Sequence, residues 1–362
     1  MKKIIIESDK IYCGDSLNLL KEIPDKFVNC VVTSPPYWAL RDYKTKGQIG
    51  LEENFNNYIE KLCNIFDEVK RVLKDEGTCW VNIGDTYYTK SGSSFLNDNI
   101  VSNKKIRSTG INKANLIRGN GLIKSKNLTL TPFRFAIEMQ KRGWIIRNVI
   151  IWHKPNCMPT SVKDRFTVDF EYLFFFVKSK KYYFEQQREP HKKTSIQRTK
   201  YKWNGHREPG SSFAGMDIKK MCYPDGRNKR CVWNISTGSY RGAHFAVYPE
   251  KLIEIPISAG CPPEGIVLDP FMGSGTTGVV AKKLGRNYLG FDINKKYCRI
   301  AEKRINSEKI KSETCYICGN TIKENEICQT CFDFFKQKYP NEKKFKQILQ
   351  WHKNHTQLNK KC

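Results

Sequence analysis

Long apolar runs are missing from this 362-residue chain. The N-terminal run Ile4-Ile5-Ile6 is too short for the core of a secretion signal. The most apolar later stretch, residues 172–177, has the length of a strand and not of a bilayer span. An intracellular, cytoplasmic protein without membrane contact is therefore expected, and its 14 cysteines read as reduced thiols or metal ligands and not as a disulfide framework. Acidic residues are scarce: 36 Asp and Glu stand against 63 Lys and Arg, a formal net charge of +27. Such an excess repels itself in a folded chain and draws polyanions, nucleic acid first among them; a genome rich in lysine codons would also raise it. No glycine loop is followed by the Lys of a phosphate-binding P-loop, which counts against ATP. Neither an internal repeat nor a nuclease motif is found. What is not missing is a core, since 39% hydrophobic and 12% aromatic residues exclude a disordered chain.

What is present alternates in type. Residues 28–33 are a valine-rich segment that empties into Ser34-Pro35-Pro36, as a buried parallel strand ends in a loop. Phe55, Tyr58, Ile59, Leu62, Ile65, Phe66, Val69, Val72 and Leu73 recur at helical spacing, and Gly77 is expected to stop that helix before a strand over 79–83. Thr131-Pro132 predicts a helix start with Thr131 as its cap and Gly143 beyond its end. Strands are predicted over 144–152 and 171–177, then strand, glycine loop and helix over 267–284, a strand over 288–292 and a helix from Asn294. Strands alternating with helices imply an α/β fold, a doubly wound and mostly parallel sheet. Residues 89–130 and 186–241 break the pattern, both polar, basic and without periodicity.

Two loops carry the chemistry. Asp269-Pro270-Phe271-Met272-Gly273-Ser274-Gly275-Thr276 follows one strand and opens a helix. Glycines there admit a ligand close to the backbone, and a helix start offers unpaired N–H groups. Asp292 ends the next strand, where a carboxylate can accept from both hydroxyls of a ribose. Taken alone, the segment also fits a dinucleotide site or a bare strand-to-helix turn. The second loop, Thr33-Ser34-Pro35-Pro36-Tyr37-Trp38, sits at a strand's carboxyl end, where open α/β sheets place ligands. Two prolines stiffen it and remove donors, so the Ser34 hydroxyl and the Pro35 carbonyl can accept from an amino group while the Tyr37 ring can stack on a base. A rigid turn with aromatic neighbours reads the same way in isolation.

Together, and in this order, the motifs resemble those of the amino-methylating DNA methyltransferases of the β arrangement, in which the catalytic loop precedes the cofactor loop. The resemblance covers about residues 11–305. It includes Tyr12-Cys13-Gly14-Asp15, the run Gly77-Thr78-Cys79-Trp80-Val81-Asn82-Ile83-Gly84-Asp85, Trp152-His153-Lys154-Pro155-Asn156 with Met158-Pro159, and His244-Phe245-Ala246-Val247-Tyr248-Pro249. It implies a Rossmann-like sheet that binds S-adenosylmethionine and methylates an exocyclic amino group of a base flipped out of duplex DNA. By that resemblance Ser34, Pro35, Pro36 and Tyr37 are catalytic; Asp269, Phe271, Gly273, Gly275, Thr276 and Asp292 line the cofactor site; and Asp15 reaches the adenine, unless it is a structural carboxylate at a helix start. Ser in the first loop position looks like the cytosine-N4 enzymes, whereas adenine-N6 relatives usually carry Asp or Asn there. Methylation at cytosine C5 needs a thiolate in a Pro-Cys loop, and no proline precedes a cysteine in this chain.

The implied organisation is a catalytic half over 1–185 with an insertion at 89–130, a target-recognition region over 186–241, a cofactor half over 242–308, a zinc knuckle over 312–335 and a basic tail over 336–362. In the recognition region, Trp203, Asn204, His206 and Arg207 are types suited to reading base edges, or to gripping phosphates alone. Cys315, Cys318, Cys328 and Cys331 have the paired spacing of a closed, structural Zn2+ site. His352 and His355 in the tail read as residues of a solvated helix. Two other classes compete with the enzyme reading: a catalytically silent DNA-binding module, and a methyltransferase acting on RNA or on a glutamine amide. A separate restriction endonuclease is a possible partner, and oligomeric state is not legible.

Overall fold

The computed structural model describes residues 6–88, 123–198, 226–238 and 248–308, all within one unit, Met1–Glu308. The expectations for Trp203, Asn204, His206, Arg207, Cys315, Cys318, Cys328 and Cys331, and for most of the 89–130 insertion, lie outside these residues.

The first strands follow from local pattern. Strand β1 (Lys10–Cys13) leads into helix α1 (Ser16–Lys21), and β2 (Val28–Thr33) is buried along nearly its whole length. Helix α2 (Phe55–Val72) buries Phe55, Tyr58, Ile59, Leu62, Ile65, Phe66, Val69 and Val72 along one stripe, the arrangement that its 3.6-residue period dictates. Gly77 does not end this helix. The chain passes directly from Val72 into β3 (Leu73–Ile83), and Gly77 lies inside that strand. A Cβ there would fall 2.6 Å from the Leu73 side chain and 2.9 Å from the Asn29 carbonyl. The glycine permits close strand packing, a role that its usual reading as a breaker hides.

Helix α3 (Thr131–Lys141) has Pro132 in its first turn as expected, but Thr131 is not its cap. Leu130 takes that place in a left-handed conformation without a side-chain cap bond, and the Thr131 N–H instead donates to Asp85 Oδ1 at 3.2 Å. The acceptor is thus supplied from another loop, where periodicity gives no sign of it.

Strands β4 (Ile145–His153) and β5 (Phe170–Val177) form a hairpin. Short β6 (Arg188–Glu189) and β7 (Arg227–Asn228) pair apart from the main sheet, with α4 (Lys193–Arg198) between them in sequence. Three residues of the irregular region, β8 (Val232–Asn234), join the main sheet beside β4 and bury Trp233. The chain then runs through α5 (Glu250–Gly260), β9 (Ile266–Asp269), α6 (Thr276–Lys283), β10 (Asn287–Asp292) and α7 (Lys295–Ser307).

The main sheet has eight strands in the order β1-β10-β9-β2-β3-β5-β4-β8. Every pairing is parallel except those of β5, so the sheet is mostly parallel but mixed. Each face carries its own core. One packs α1, α2 and α3 through Leu20, Phe66 and Phe135; the other packs α5, α6 and α7 through Ile257, Val280 and Ile305. Covering both faces is what allows parallel strands to be apolar on both sides.

Candidate active site

Strands β2 and β9 are adjacent and parallel, with Cys30 opposite Val267 and Val31 opposite Leu268. Their carboxyl ends therefore emerge side by side, and the double-proline corner meets the glycine turn at one edge of the sheet. Thr33 Oγ1 donates to Asp269 Oδ1 at 2.6 Å, a direct bond between the two loops across 236 residues of sequence.

Asp269 has no exposed surface. Besides Thr33, its carboxylate accepts from Thr277 Oγ1 at 2.6 Å, Phe271 N at 3.0 Å and the Tyr248 hydroxyl at 3.0 Å. Burial pushes its pKa up, and these hydrogen bonds oppose the rise. Sealed and satisfied, the side chain of Asp269 braces the turn from below instead of lining an open cavity. The Tyr248 and Thr277 hydroxyls also lie within hydrogen-bond distance of each other, so one of their two protons is divided between that contact and the carboxylate.

Above this brace the turn is shaped for close approach. Gly273 and Gly275 have φ of 52° and 86°, a region that only glycine enters without strain. At Gly275 a Cβ would also fall 2.7 Å from that of Ala301. Gly275 caps α6 without a side-chain bond, so the first turn of the helix is not closed by its own cap. Thr276 is buried, and Arg304 reaches its hydroxyl at 3.3 Å and the Ser274 carbonyl at 2.7 Å. Phe271 is half-buried beside the turn.

Asp292 differs from Asp269 although each ends a strand of the same sheet. Its Oδ2 accepts from Gly273 N at 3.0 Å and its Oδ1 from Asn294 N at 2.7 Å, and it is only half-buried. Burial raises its pKa to about 6, with the two backbone bonds opposing. Asp15 stands one strand further along the same edge, since Cys13 of β1 lies opposite Asp292. There it caps α1 by accepting from Asn18 N at 3.0 Å.

On the other side, Pro35 is buried and Ser34, Pro36 and Tyr37 are half-buried. The Pro36 carbonyl is taken by the Tyr58 hydroxyl at 2.8 Å. Ser34 Oγ donates to the Tyr37 oxygen at 3.4 Å, and Tyr37 in turn donates to Glu171 Oε2 at 2.6 Å. Burial first, and then the Glu171 charge, push the Tyr37 phenol well above its ordinary range, so it remains a donor. The ring packs on Gly84, where a Cβ would lie 2.8 Å from Tyr37 Cε2.

Glu171 is the residue that sequence reasoning missed. Three donors converge on it: Tyr37, the Asn82 amide at 2.9 Å and the Lys154 ammonium. A lone carboxylate at the mouth of an otherwise apolar strand, Phe170–Val177, was the available signal. Two nearby acceptors at the carboxyl end of β3, Asn82 Oδ1 and Asp85 Oδ2, are buried without a hydrogen-bond partner among the described residues. Such atoms cost about 1–3 kcal/mol each when left unpaired. No group of three or more metal-binding side chains occurs among the described residues.

A family model described as DNA methylase, the N6_N4 methyltransferase model, matches residues 28–303. The chain is 43% identical over 303 residues to the Type II methyltransferase M.SmaI of Serratia marcescens, covering 83% of this chain and 91% of that protein. It is 40% identical to the Type II methyltransferase M.Cfr9I of Citrobacter freundii, covering 82% of this chain and 88% of that protein. Among solved structures, the PvuII DNA methyltransferase (cytosine-N4-specific) superposes with a TM-score of 0.54 at 21% identity, covering 83% of this chain and 87% of that one.

Proposed function

The chain belongs to the N6/N4 family of DNA methylases, and from that premise we propose that it moves a methyl group from S-adenosylmethionine to the N4 amino group of a cytosine flipped out of duplex DNA. What supports this most is the meeting of the double-proline corner with the glycine turn, joined by the Thr33–Asp269 hydrogen bond. The choice of cytosine N4 over adenine N6 rests on Ser34 in the first loop position. The PvuII enzyme, cytosine-N4-specific by name, shares the fold.

The residues present fit the cofactor. Asp292 is fixed by two backbone N–H groups, one on each oxygen, and both oxygens retain acceptor capacity for ribose hydroxyls. Gly273 and Gly275 let a ligand approach the backbone, with Phe271 and Thr276 beside them and Asp15 at the adjacent strand end. Asp269 serves by holding the turn in shape. When bound, S-adenosylmethionine would supply a methyl group on a sulfonium centre; as the amino nitrogen takes it in line the carbon–sulfur bond would break, the neutral thioether S-adenosylhomocysteine would leave, and one amino proton would pass to solvent.

The chain's own part is to hold that nitrogen. Ser34 directs its proton at Tyr37, which leaves its oxygen lone pairs for one amino N–H. Tyr58 occupies the Pro36 carbonyl, so Pro35 offers the second acceptor. Two acceptors on one amino group favour a more tetrahedral nitrogen whose lone pair faces the glycine turn. Tyr37 stacks on the base, its ring plane set by Glu171 and Gly84.

In the same reading, Trp203, Asn204, His206 and Arg207 read base edges and Cys315, Cys318, Cys328 and Cys331 hold a structural zinc. Metal analysis of the purified chain should then return about one zinc per molecule. The Type II designation of the relatives supports a cognate restriction endonuclease as functional partner.

The test is transfer of labelled methyl from S-adenosylmethionine to duplex DNA, followed by base-level detection of N4-methylcytosine and N6-methyladenine. Tyr37→Ala should lower transfer about 100-fold, the scale of one lost base stack, with cofactor binding unchanged. N6-methyladenine as the product would overturn the cytosine assignment, and absence of transfer to any DNA would overturn the enzyme.

A further inference from the structure

Residues 154–169 link β4 to β5 and leave the sheet at the edge that carries the double-proline corner, because β4 runs parallel to β2 and β3. The loop is braced at several points. At its root the Lys154 N–H donates to the Asp169 carbonyl at 2.7 Å, and the Lys154 ammonium pairs with Glu171, the carboxylate that holds Tyr37. Asn156 exchanges two hydrogen bonds with Thr237, at 2.9 and 3.2 Å. Further along, Asp164 pairs with Lys126 at 2.7 Å, and the Arg165 guanidinium lies 3.7 Å from the centre of the Tyr87 ring.

The next residue, Phe166, is 94% exposed, and Met158 on the same loop is 73% exposed. Both side chains stand on a loop tied down at its root and along its length, so the fold and not their own packing sets where they project. Cations outnumber anions next to Phe166: Lys163 and Arg165 lie within three residues on the loop, and Lys126 pairs with the intervening Asp164. An apolar side chain flanked by positive charge complements a base stack running between two phosphate backbones.

We propose that Phe166 is a wedge that enters the base stack of duplex DNA next to the target base as that base leaves the helix toward Tyr37. The proposal rests on the methyltransferase reading above and names how the duplex is opened. Wedge insertion offsets the unstacking that extrusion requires, and the brace through Lys154 and Glu171 keeps the wedge in register with the ring that receives the base.

The experiment compares Phe166→Ala with the native chain on two duplexes carrying the methylated site found by sequencing, one fully paired and one mismatched at the target base. Phe166→Ala should lower transfer roughly ten- to a hundredfold on the paired duplex. On the mismatched one, already easy to open, it should stay within about threefold of native. Phe166→Trp should restore transfer on the paired duplex, and 2-aminopurine paired with thymine at the target position should brighten with the native chain and not with Phe166→Ala. Equal activity of the variant on the paired duplex, or an equal loss on both duplexes, would overturn the wedge. If the native chain methylates neither duplex, it is the methyltransferase reading that falls.

Discussion

The glycine turn and the double-proline corner share an edge of the sheet but are held by opposite means. The turn is secured from beneath by Asp269, which is sealed from water and bound to three hydroxyls and one backbone N–H. The corner is secured from the side by Glu171, whose partners are a phenol, an amide and an ammonium, and whose side chain remains 18% exposed. Hydroxyl and N–H bonds to a carboxylate sealed in a dry interior give fixed geometry at little sensitivity to salt. A part-exposed ionic hub gives geometry that ions and nearby phosphates can adjust. On the proposed reading, the half that would meet the cofactor is the one sealed in the interior, and the half that would receive a base is tied through charge.

Removing the buried brace should have the largest effect. In Asp269→Ala, the hydroxyls of Thr33, Thr277 and Tyr248 and the Phe271 N–H lose their acceptor inside the core. We expect a loss of about 4–5 kcal/mol, read as a shifted denaturation midpoint at unchanged slope. A loss below about 1 kcal/mol would mean that the turn does not depend on this residue.

Asp292 tests whether a half-buried carboxylate, assigned to the cofactor by the proposed reading, trades stability for binding. Its pKa is raised from 3.8 to about 6, so the folded chain holds this proton more tightly than the unfolded one. Its contribution to stability is therefore full below about pH 3.8 and declines as pH rises through about 6. Asp292→Asn should raise the stability of the cofactor-free chain at pH 8 by up to about 3 kcal/mol, while weakening cofactor binding about tenfold. In the native chain, calorimetry should show affinity falling as pH drops below about 6. Unchanged affinity on acidification would remove Asp292 from the cofactor site.

The smallest expected effect sharpens the account of the corner. Glu171→Gln keeps an acceptor for Tyr37 but removes the charge that faces Lys154. It should lower turnover only about threefold, whereas Glu171→Ala should lower it about tenfold, with the cofactor KM unchanged in both. Equal losses in the two variants would point to the charge, not the hydrogen bond, as what orients Tyr37.

Local pattern made part of this legible. Strand β2, the stripe of α2 and the glycine turn were all readable because their signals, an apolar run, a 3.6-residue period and a strand-to-helix glycine pair, lie within one element. The contacts that complete the site are not of that kind. Glu171 meets Tyr37 across 134 residues, and Asp85 closes α3 across 46. Neither leaves a trace in the spacing around it. The reversed direction of β5 was hidden for the same reason, since a strand buried on both faces reads alike in either orientation. Gly77 was misread because a glycine that ends a helix and one that admits a neighbouring strand look the same in sequence. Trp233 was hidden in a region where three residues of strand are too few to show alternation.

The adjacency of β2 and β9 also has a consequence for biosynthesis. During translation, Val28–Thr33 leaves the ribosome long before Ile266–Asp269, and until that late strand arrives one flank of a valine-rich strand stays unpaired. An unfinished chain therefore exposes a sticky margin and should depend on chaperones more than its size suggests. It also lacks the juxtaposition of the two loops, which meet only when a strand from the final third of the polypeptide threads into the middle of a sheet already begun.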